Sequence, residues 1–199
     1  MSEKRIGGVL LAAGIAKRLG KPKQLLPWNH TFLINHMIDV IYQSSVQELV
    51  VILNNQSKKI QKVIDVQPKI LLNNDWVNGK SGSIKIGVEY FLKKNIDGVI
   101  IFVVDQPFLS AKLINSEIDL YLKCNCKIVA PFVNGQQCNP VLFDYSVMPK
   151  LMTLTGDQGG KTILPEINEI CRLPSDDERL LLDIDSIEDY QQAKRFNQL

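Results

Sequence analysis

Long apolar runs are missing from this 199-residue chain. No stretch approaches the about 20 consecutive apolar residues of a membrane-spanning helix, so none is expected. The first residues, Met1 to Arg5, are charged, and the apolar run behind them is too short for a secretory core. A cytoplasmic location is the expectation. Charge of one sign is also scarce. Lys and Arg number 23 against 21 Asp and Glu, a net charge of +2, which argues against a general nucleic-acid or membrane surface. Basic residues therefore matter only where they cluster. There are two histidines, His30 and His36, and four cysteines, Cys124, Cys126, Cys138 and Cys171. No Cys-x-x-Cys pair occurs and the histidines are far away in sequence, so a zinc site is left open with little support. Cys124 and Cys126 are too close for an easy mutual disulfide, and reduced cysteines are expected. Repeats, low-complexity tracts and Pro/Gly/Ser linkers are absent too. One domain over residues 1–199, with 45% hydrophobic residues to fill its core, is the resulting expectation.

The apolar runs that are present are short and rich in Val, Ile and Leu. They are Ile6–Ala12, Leu49–Leu53, Lys69–Leu72, Val99–Val104 and Ile128–Ala130. Near-continuous runs of this kind suit strands buried on both faces. Between them lie helical spacings: Phe32, Ile34, Met37, Ile38 and Ile41; Ile60, Val63 and Ile64; Ile84, Val88, Phe91 and Leu92; and Leu113, Ile114, Ile118, Tyr121 and Leu122. The alternation predicts an α/β fold, a three-layer, mostly parallel, Rossmann-like nucleotide-binding sheet with helices on both faces. Later in the chain, Asn134-Gly135 signals a hairpin turn and Asn139–Phe143 a returning strand. Gly159-Gly160 opens a short helix, Leu180–Ile184 reads as a last strand, and Ile187–Phe196 as a final helix capped by Ser186.

In such sheets the ligand lies beyond the carboxyl ends of the strands. The loop Leu11 to Lys23 leaves the first strand at that edge, carrying Leu11, Ala12, Ala13, Gly14, Arg18, Gly20, Lys21 and Lys23. Small residues let backbone N–H groups approach a ligand, and the cations suit a polyphosphate. The loop is neither a Walker A loop nor a dinucleotide fingerprint, because Gly14 and Gly20 stand six apart with no Gly-Lys-Ser/Thr. Asp105 follows the fourth apolar run and precedes Pro107, which makes it a candidate ligand for a hard cation such as magnesium. Asp183 and Asp185 flank Ile184; on a strand both would face one way, either as a second metal contact or with one capping the final helix. Ser81-Gly82-Ser83, placed ahead of a helix starting near Ile84, serves either a nucleotide or the helix cap. Gly156-Asp157-Gln158-Gly159-Gly160-Lys161 is a small polar loop with one cation, suited to a second anion or simply a turn.

Taken in order, these segments resemble the MobA-like nucleotidyltransferases, and among them the molybdenum cofactor cytidylyltransferases. Leu-Ala-Ala-Gly-x-Ala-x-Arg-x-Gly-x-x-Lys matches the signature loop, continued by Gln24-Leu25-Leu26-Pro27. Asn74-Asp75-Trp76 with Gly79 to Gly87 resembles the base-binding segment, and Val104-Asp105-Gln106-Pro107 the metal-binding turn. Asn139–Phe143, Gly156–Gly159 and Asp183–Tyr190 resemble later blocks. The resemblance implies transfer of CMP from CTP to the phosphate of a molybdopterin-type cofactor, with pyrophosphate leaving. It implies a magnesium ion on Asp105 and Asp185, and catalytic roles for Arg18, Lys23 and Asp105. Leu11, Ala12, Ala13, Gly14, Lys23, Ser81, Ser83 and Asp105 would hold the nucleotide; Asn139, Pro140, Gly156, Asp157 and Lys161 would hold the acceptor. Residues 1–110 would then form the nucleotide-binding half and 111–199 the acceptor half. A recipient molybdoenzyme or its chaperone is an implied partner, with no nucleic acid and no membrane.

GTP-using relatives of this family read Leu-Ala-Gly-Gly at the signature loop, so the methyl group of Ala13 favours cytosine over guanine. The chain departs from the family where an arginine-containing turn gives way to Gly135-Gln136-Gln137-Cys138, where Lys161 replaces an arginine, and where Gly82 replaces a serine. Lysine offers a point charge in place of the planar fork of arginine. These departures leave a sugar or alcohol phosphate open as acceptor. A nicotinamide-dependent oxidoreductase and a cofactor carrier are the readings of another class.

Overall fold

The computed structural model describes residues 4–14 and 17–197. Ile15 and Ala16 of the first loop lie outside that set. The strands are β1 Ile6–Leu11, β2 Pro27–Trp28, β3 Thr31–Phe32, β4 Glu48–Asn54, β5 Lys69–Asn73, β6 Gly98–Val103, β7 Ile128–Val133, β8 Gln136–Gln137, β9 Val141–Asp144 and β10 Ile170–Pro174. The helices are α1 Leu33–Tyr42, α2 Lys58–Gln61, α3 Lys80–Leu92, α4 Ala111–Lys123, α5 Met148–Leu151 and α6 Ile187–Phe196, with short 3-10 turns between.

One sheet of eight strands runs in the order β10-β7-β9-β6-β1-β4-β5, with β8 paired to β7, while β2 and β3 form a separate small hairpin. The pairs β1–β4, β1–β6, β4–β5 and β7–β10 are parallel. Among the described residues, only β9, which is antiparallel to both β6 and β7, and β8 run against the rest of this sheet. The mostly parallel, three-layer α/β expectation therefore holds. On one face Ile6 and Leu10 of β1 pack with Ile34 and Ile38 of α1, Ile114 and Ile118 of α4 and Ala193 of α6. On the other, Val9 packs with Ile84, Val88 and Phe91 of α3 and Met148 and Leu151 of α5. The α3 layer sits close because two glycines admit it. A Cβ on Gly87 would stand 2.4 Å from Val9, and one on Gly7 2.5 Å from Phe91.

Four elements differ from the sequence expectation. The final strand is not Leu180–Ile184: the Asp177 side chain accepts from the Arg179 amide and winds Glu178–Leu181 into a 3-10 turn. The last strand is instead β10, a short edge strand paired to β7. The helix expected around Ile60, Val63 and Ile64 stops at Gln61, because the Asn35 side chain takes the Val63 carbonyl at 2.7 Å. Helix α3 begins at Lys80, so Ser81 and Ser83 lie in its first turn and not ahead of it. Finally, Cys126 and Cys171 are not free thiols. The parallel register sets Ile170 beside Ile128, which brings these two cysteines to a Cα separation of 5.7 Å as a disulfide. Cys124 and Cys138 remain free.

Candidate active site

The carboxyl ends of β1, β4, β5 and β6 carry polar residues where the strands stop. After β1 the chain turns at Ala12-Ala13-Gly14, and three consecutive carbonyls are captured by side-chain amides. Gln24 Nε2 donates to the Ala12 carbonyl at 2.6 Å and to that of Gly14 at 3.1 Å. Asn54 Nδ2, from the end of β4, donates to the Ala13 carbonyl at 2.8 Å. At the end of β5, Asn73 Nδ2 donates to Ser83 Oγ at 3.0 Å, and Asn73 Oδ1 accepts from the Asp75 amide. Gln24, Asn54, Asn73, Ser81 and Ser83 are all buried.

Asp105 stands two residues beyond β6. Ser110 caps α4 by accepting from the Leu113 amide, so Asp105 is not consumed as a helix cap. Its carboxylate accepts from Lys23 Nζ at 2.7 Å, and the same ammonium donates to Asp185 at 2.6 Å. Arg18, exposed at the rim, adds a contact to Asp185 at 3.2 Å. Asp185 reaches this point because the Ile184 amide donates to the Asp105 carbonyl at 2.9 Å while the Ile184 side chain is fully buried in the core. The segment belongs to no strand of the sheet. Asp183, on the same side of the chain, accepts from Gln106 Nε2 at 2.6 Å. The final helix is capped by Ser186 in a reciprocal pair with Asp189, which leaves Asp185 for the cations.

Electrostatics follow from this crowding. Burial pulls Lys23 down, but the charges and hydrogen bonds of Asp105 and Asp185 outweigh it and hold the ammonium above its ordinary value. Burial pushes Asp183 up, and the neighbouring Asp105 and Asp185 push it further against the Gln106 hydrogen bond. Two carboxylates converging on one cation are the hard-oxygen donor set that suits Mg²⁺.

A cleft of about 510 Å³ opens at this edge, of the size that takes a small organic ligand. Leu11, Ala13, Gly14, Lys23, Ser83, Asp105 and Asp157, all singled out from the sequence, line it, together with Trp76, Val77, Gly79 and Lys80. Val77 is 70% exposed over its rim, a large apolar side chain with an open face. Ser81 does not line the cleft; its amide instead donates to the Gly156 carbonyl at 3.1 Å and ties that loop to α3. The other expected acceptor residues do not join Asp157 there. Lys161 Nζ donates to the Gln137 carbonyl at 3.0 Å. Asn139 and Pro140 line a separate cavity of about 10 Å³ with Gln106 and Arg179, sharing the Val103 wall with the cleft. Cys138 is buried, and burial pushes its thiol up despite nearby Lys161. Sequence reasoning assigned no role to Asn54 or Asn73, and it met Gln24 and Lys80 only inside the longer segments that resemble the family. An amide side chain at the end of a buried strand, the position that singled out Asp105, would have signalled Asn54 and Asn73.

Residues 8–170 match the MobA-like NTP transferase domain. Among curated proteins, nicotine blue oxidoreductase of Paenarthrobacter nicotinovorans is 28% identical over 193 residues, covering 92% of this chain and 93% of that protein. A probable molybdenum cofactor guanylyltransferase of Bacillus mycoides (strain KBAB4) is 30% identical over 145 residues, 71% of this chain and 68% of that one. Among solved structures, Rv0371c of Mycobacterium tuberculosis H37Rv superposes with a TM-score of 0.87 at 25% identity, covering 97% and 98% of the two chains. The same protein in complex with manganese gives a TM-score of 0.82 at 23% identity, covering 96% of this chain and 98% of that one.

Proposed function

Because this chain belongs to the MobA-like NTP transferase family, we propose that it transfers CMP from CTP to the phosphate of a molybdopterin-type cofactor with a divalent ion, Mg²⁺, on Asp105 and Asp185. The observation that carries this reading is the convergence of Asp105 and Asp185 on Lys23 at the mouth of the cleft. In the reaction an acceptor phosphate oxygen forms a bond to the α-phosphorus of the nucleotide, and the bridging bond to the β-phosphate breaks. The acceptor supplies its own nucleophile, so this chain's contribution is positioning and charge. Lys23 and Arg18 neutralise charge building on the leaving pyrophosphate. The bound ion would shield the phosphates from the acceptor's negative charge. The Ala12–Gly14 turn and Ser83 would hold nucleotide, with Trp76 and Val77 against the base, and Asp157 would approach from the acceptor side. In this reading residues 1–110 supply most of the nucleotide site and 111–199 the acceptor side, in one cytoplasmic enzyme whose product passes to a molybdoenzyme or its chaperone.

Ala13 is among the residues that line the cleft, and an alanine where the GTP-using sequence reads glycine supports a pyrimidine base. A relative named for guanylyl transfer favours GTP instead. The similarity to an oxidoreductase over nearly the whole chain favours a second reading, reduction of a planar substrate by a nicotinamide cofactor. Pyrophosphate release with molybdopterin-type cofactor, Mg²⁺ and CTP, GTP or ATP in turn separates these. Release with CTP, reduced about 10²–10³-fold by Asp105→Asn, is the expected result. Preference for GTP overturns the base assignment. No release with any nucleotide, with nicotinamide-dependent dye reduction instead, overturns the transferase reading.

A further inference from the structure

At the sheet edge opposite the cleft, three sulfur atoms meet. Cys124 ends α4, Cys126 stands two residues before β7, and Cys171 is the second residue of β10. Their Sγ atoms all lie within 4.8 Å of one another. The frame that holds them is backbone. The Cys124 amide donates to the Leu120 carbonyl at 3.0 Å and closes the last turn of α4, and the Lys127 amide donates to the Glu169 carbonyl at 2.8 Å and ties the lead-in of β7 to that of β10. Cys126 is buried and Cys124 exposed, which gives the cluster a closed side and an open side. Nothing in the cleft chemistry uses these residues.

We propose that, once the Cys126–Cys171 disulfide is reduced, Cys124, Cys126 and Cys171 bind one thiophilic divalent cation of the zinc class through three thiolates. Zinc–thiolate bonds of about 2.3 Å in a tetrahedral array set sulfurs roughly 3.8 Å apart, so the bonded sulfurs of Cys126 and Cys171 must part on reduction, while the Cys124 sulfur already lies within 4.8 Å of both. Thiolates select soft and borderline ions over Mg²⁺ or Ca²⁺, so this site and the Asp105–Asp185 pair draw on different metals. The last carbonyls of α4 add negative potential beside Cys124, which favours a cation. Three protein ligands leave a fourth position, on the exposed side, for water.

Disulfide and ion exclude each other. A disulfide of the glutathione class oxidises the pair, taking two electrons and two protons from Cys126 and Cys171 and leaving as two thiols, and this consumes two of the three ligands. Reopening takes two electrons and two protons from a thiol reductant of the glutathione class, and uptake of the ion then displaces the thiol protons. A reducing compartment favours the open form.

The test uses the full chain, reduced with a phosphine and cleared of metal. Co²⁺ is followed by thiolate-to-metal charge-transfer absorption and Zn²⁺ by competition with a chromophoric chelator. Expected is one ion per folded chain, a rise in melting temperature with Zn²⁺, and affinity weakened at least about a hundredfold in Cys124→Ser and in Cys171→Ser. Cys138→Ser should bind as the parent does, and the oxidised parent should take up none. The proposal is overturned if the reduced parent binds no stoichiometric ion, if reduction itself unfolds the chain, or if Cys124→Ser binds as tightly as the parent.

Discussion

Gln24 shapes the first loop through one amide group. With Asn54 it turns the carbonyls of Ala12, Ala13 and Gly14 inward. Because each peptide unit is planar and trans, the N–H groups of Ala13 and Gly14 then point the other way. Gln24→Leu removes both donors while keeping an apolar body of similar size. Leaving the two carbonyls unpaired should cost about 1–3 kcal/mol of stability. On the proposed reading, the nucleotide KM should rise about tenfold or more with kcat less affected, since the loop would bind the nucleotide in ground and transition states alike. Thermal unfolding and steady-state kinetics check both; an unchanged KM would reduce Gln24 to a packing residue. At this scale the sequence revealed charges better than amides. Lys23 and Asp105 stand out as a cation in a small-residue loop and an acid at a strand end. The role of Gln24 depends on which carbonyls its side chain meets, which spacing does not record.

The junction ahead of α3 depends on two glycines from distant parts of the chain. Gly79 has a φ of +100°, and a Cβ there would lie 2.3 Å from the Gly156 carbonyl group. Gly79→Ala should therefore lose about 1–3 kcal/mol from backbone strain and push the Gly156–Asp157 loop off the cleft wall. A lowered melting temperature together with weaker nucleotide binding is the expected pair of results. Retention of both would show that the two loops separate freely. The long elements were legible in the sequence because burial on both faces demands apolar strands and one-sided helices. The α6 boundaries and its Ser186 cap were readable from local chemistry alone. Helix α2 and strand β10 were not. One is cut short by Asn35 from another element, and the other is an edge strand with Arg172 inside it.

For the molecule as a whole, the most exceptional charge is Glu117 on α4. It is completely buried, and among the described residues neither carboxylate oxygen has a partner. Burial drives its acid form well above the ordinary carboxylate range. The sign follows from linkage. A folded-state value above the unfolded one means stability is fully present below the unfolded value and is lost as pH rises through the folded one. Glu117→Leu should gain about 1–3 kcal/mol near neutral pH, about 2–4 °C in melting temperature for each, and the gain should shrink toward pH 4. Melting curves of both chains across pH measure it. A difference that does not vary with pH would assign the titration elsewhere. The α/β class and a strand returning beside β7 were legible at this scale, but the pairing of that strand with β6 and the Cys126–Cys171 bond were not. Both arise from pairings between segments far apart in the chain.

The Lys23 ammonium between Asp105 and Asp185 has a consequence for how the site meets its ligand. Two carboxylates facing each other across open solvent would repel and drift; with a resident counter-ion they are already aimed while the cleft is empty. The work of gathering them is done during folding, so binding need not repeat it. What remains is an exchange of partners. On the proposed reading, Asp105 and Asp185 would take the divalent ion in place of Lys23, and Lys23 would turn to the phosphates, so no carboxylate would be left bare.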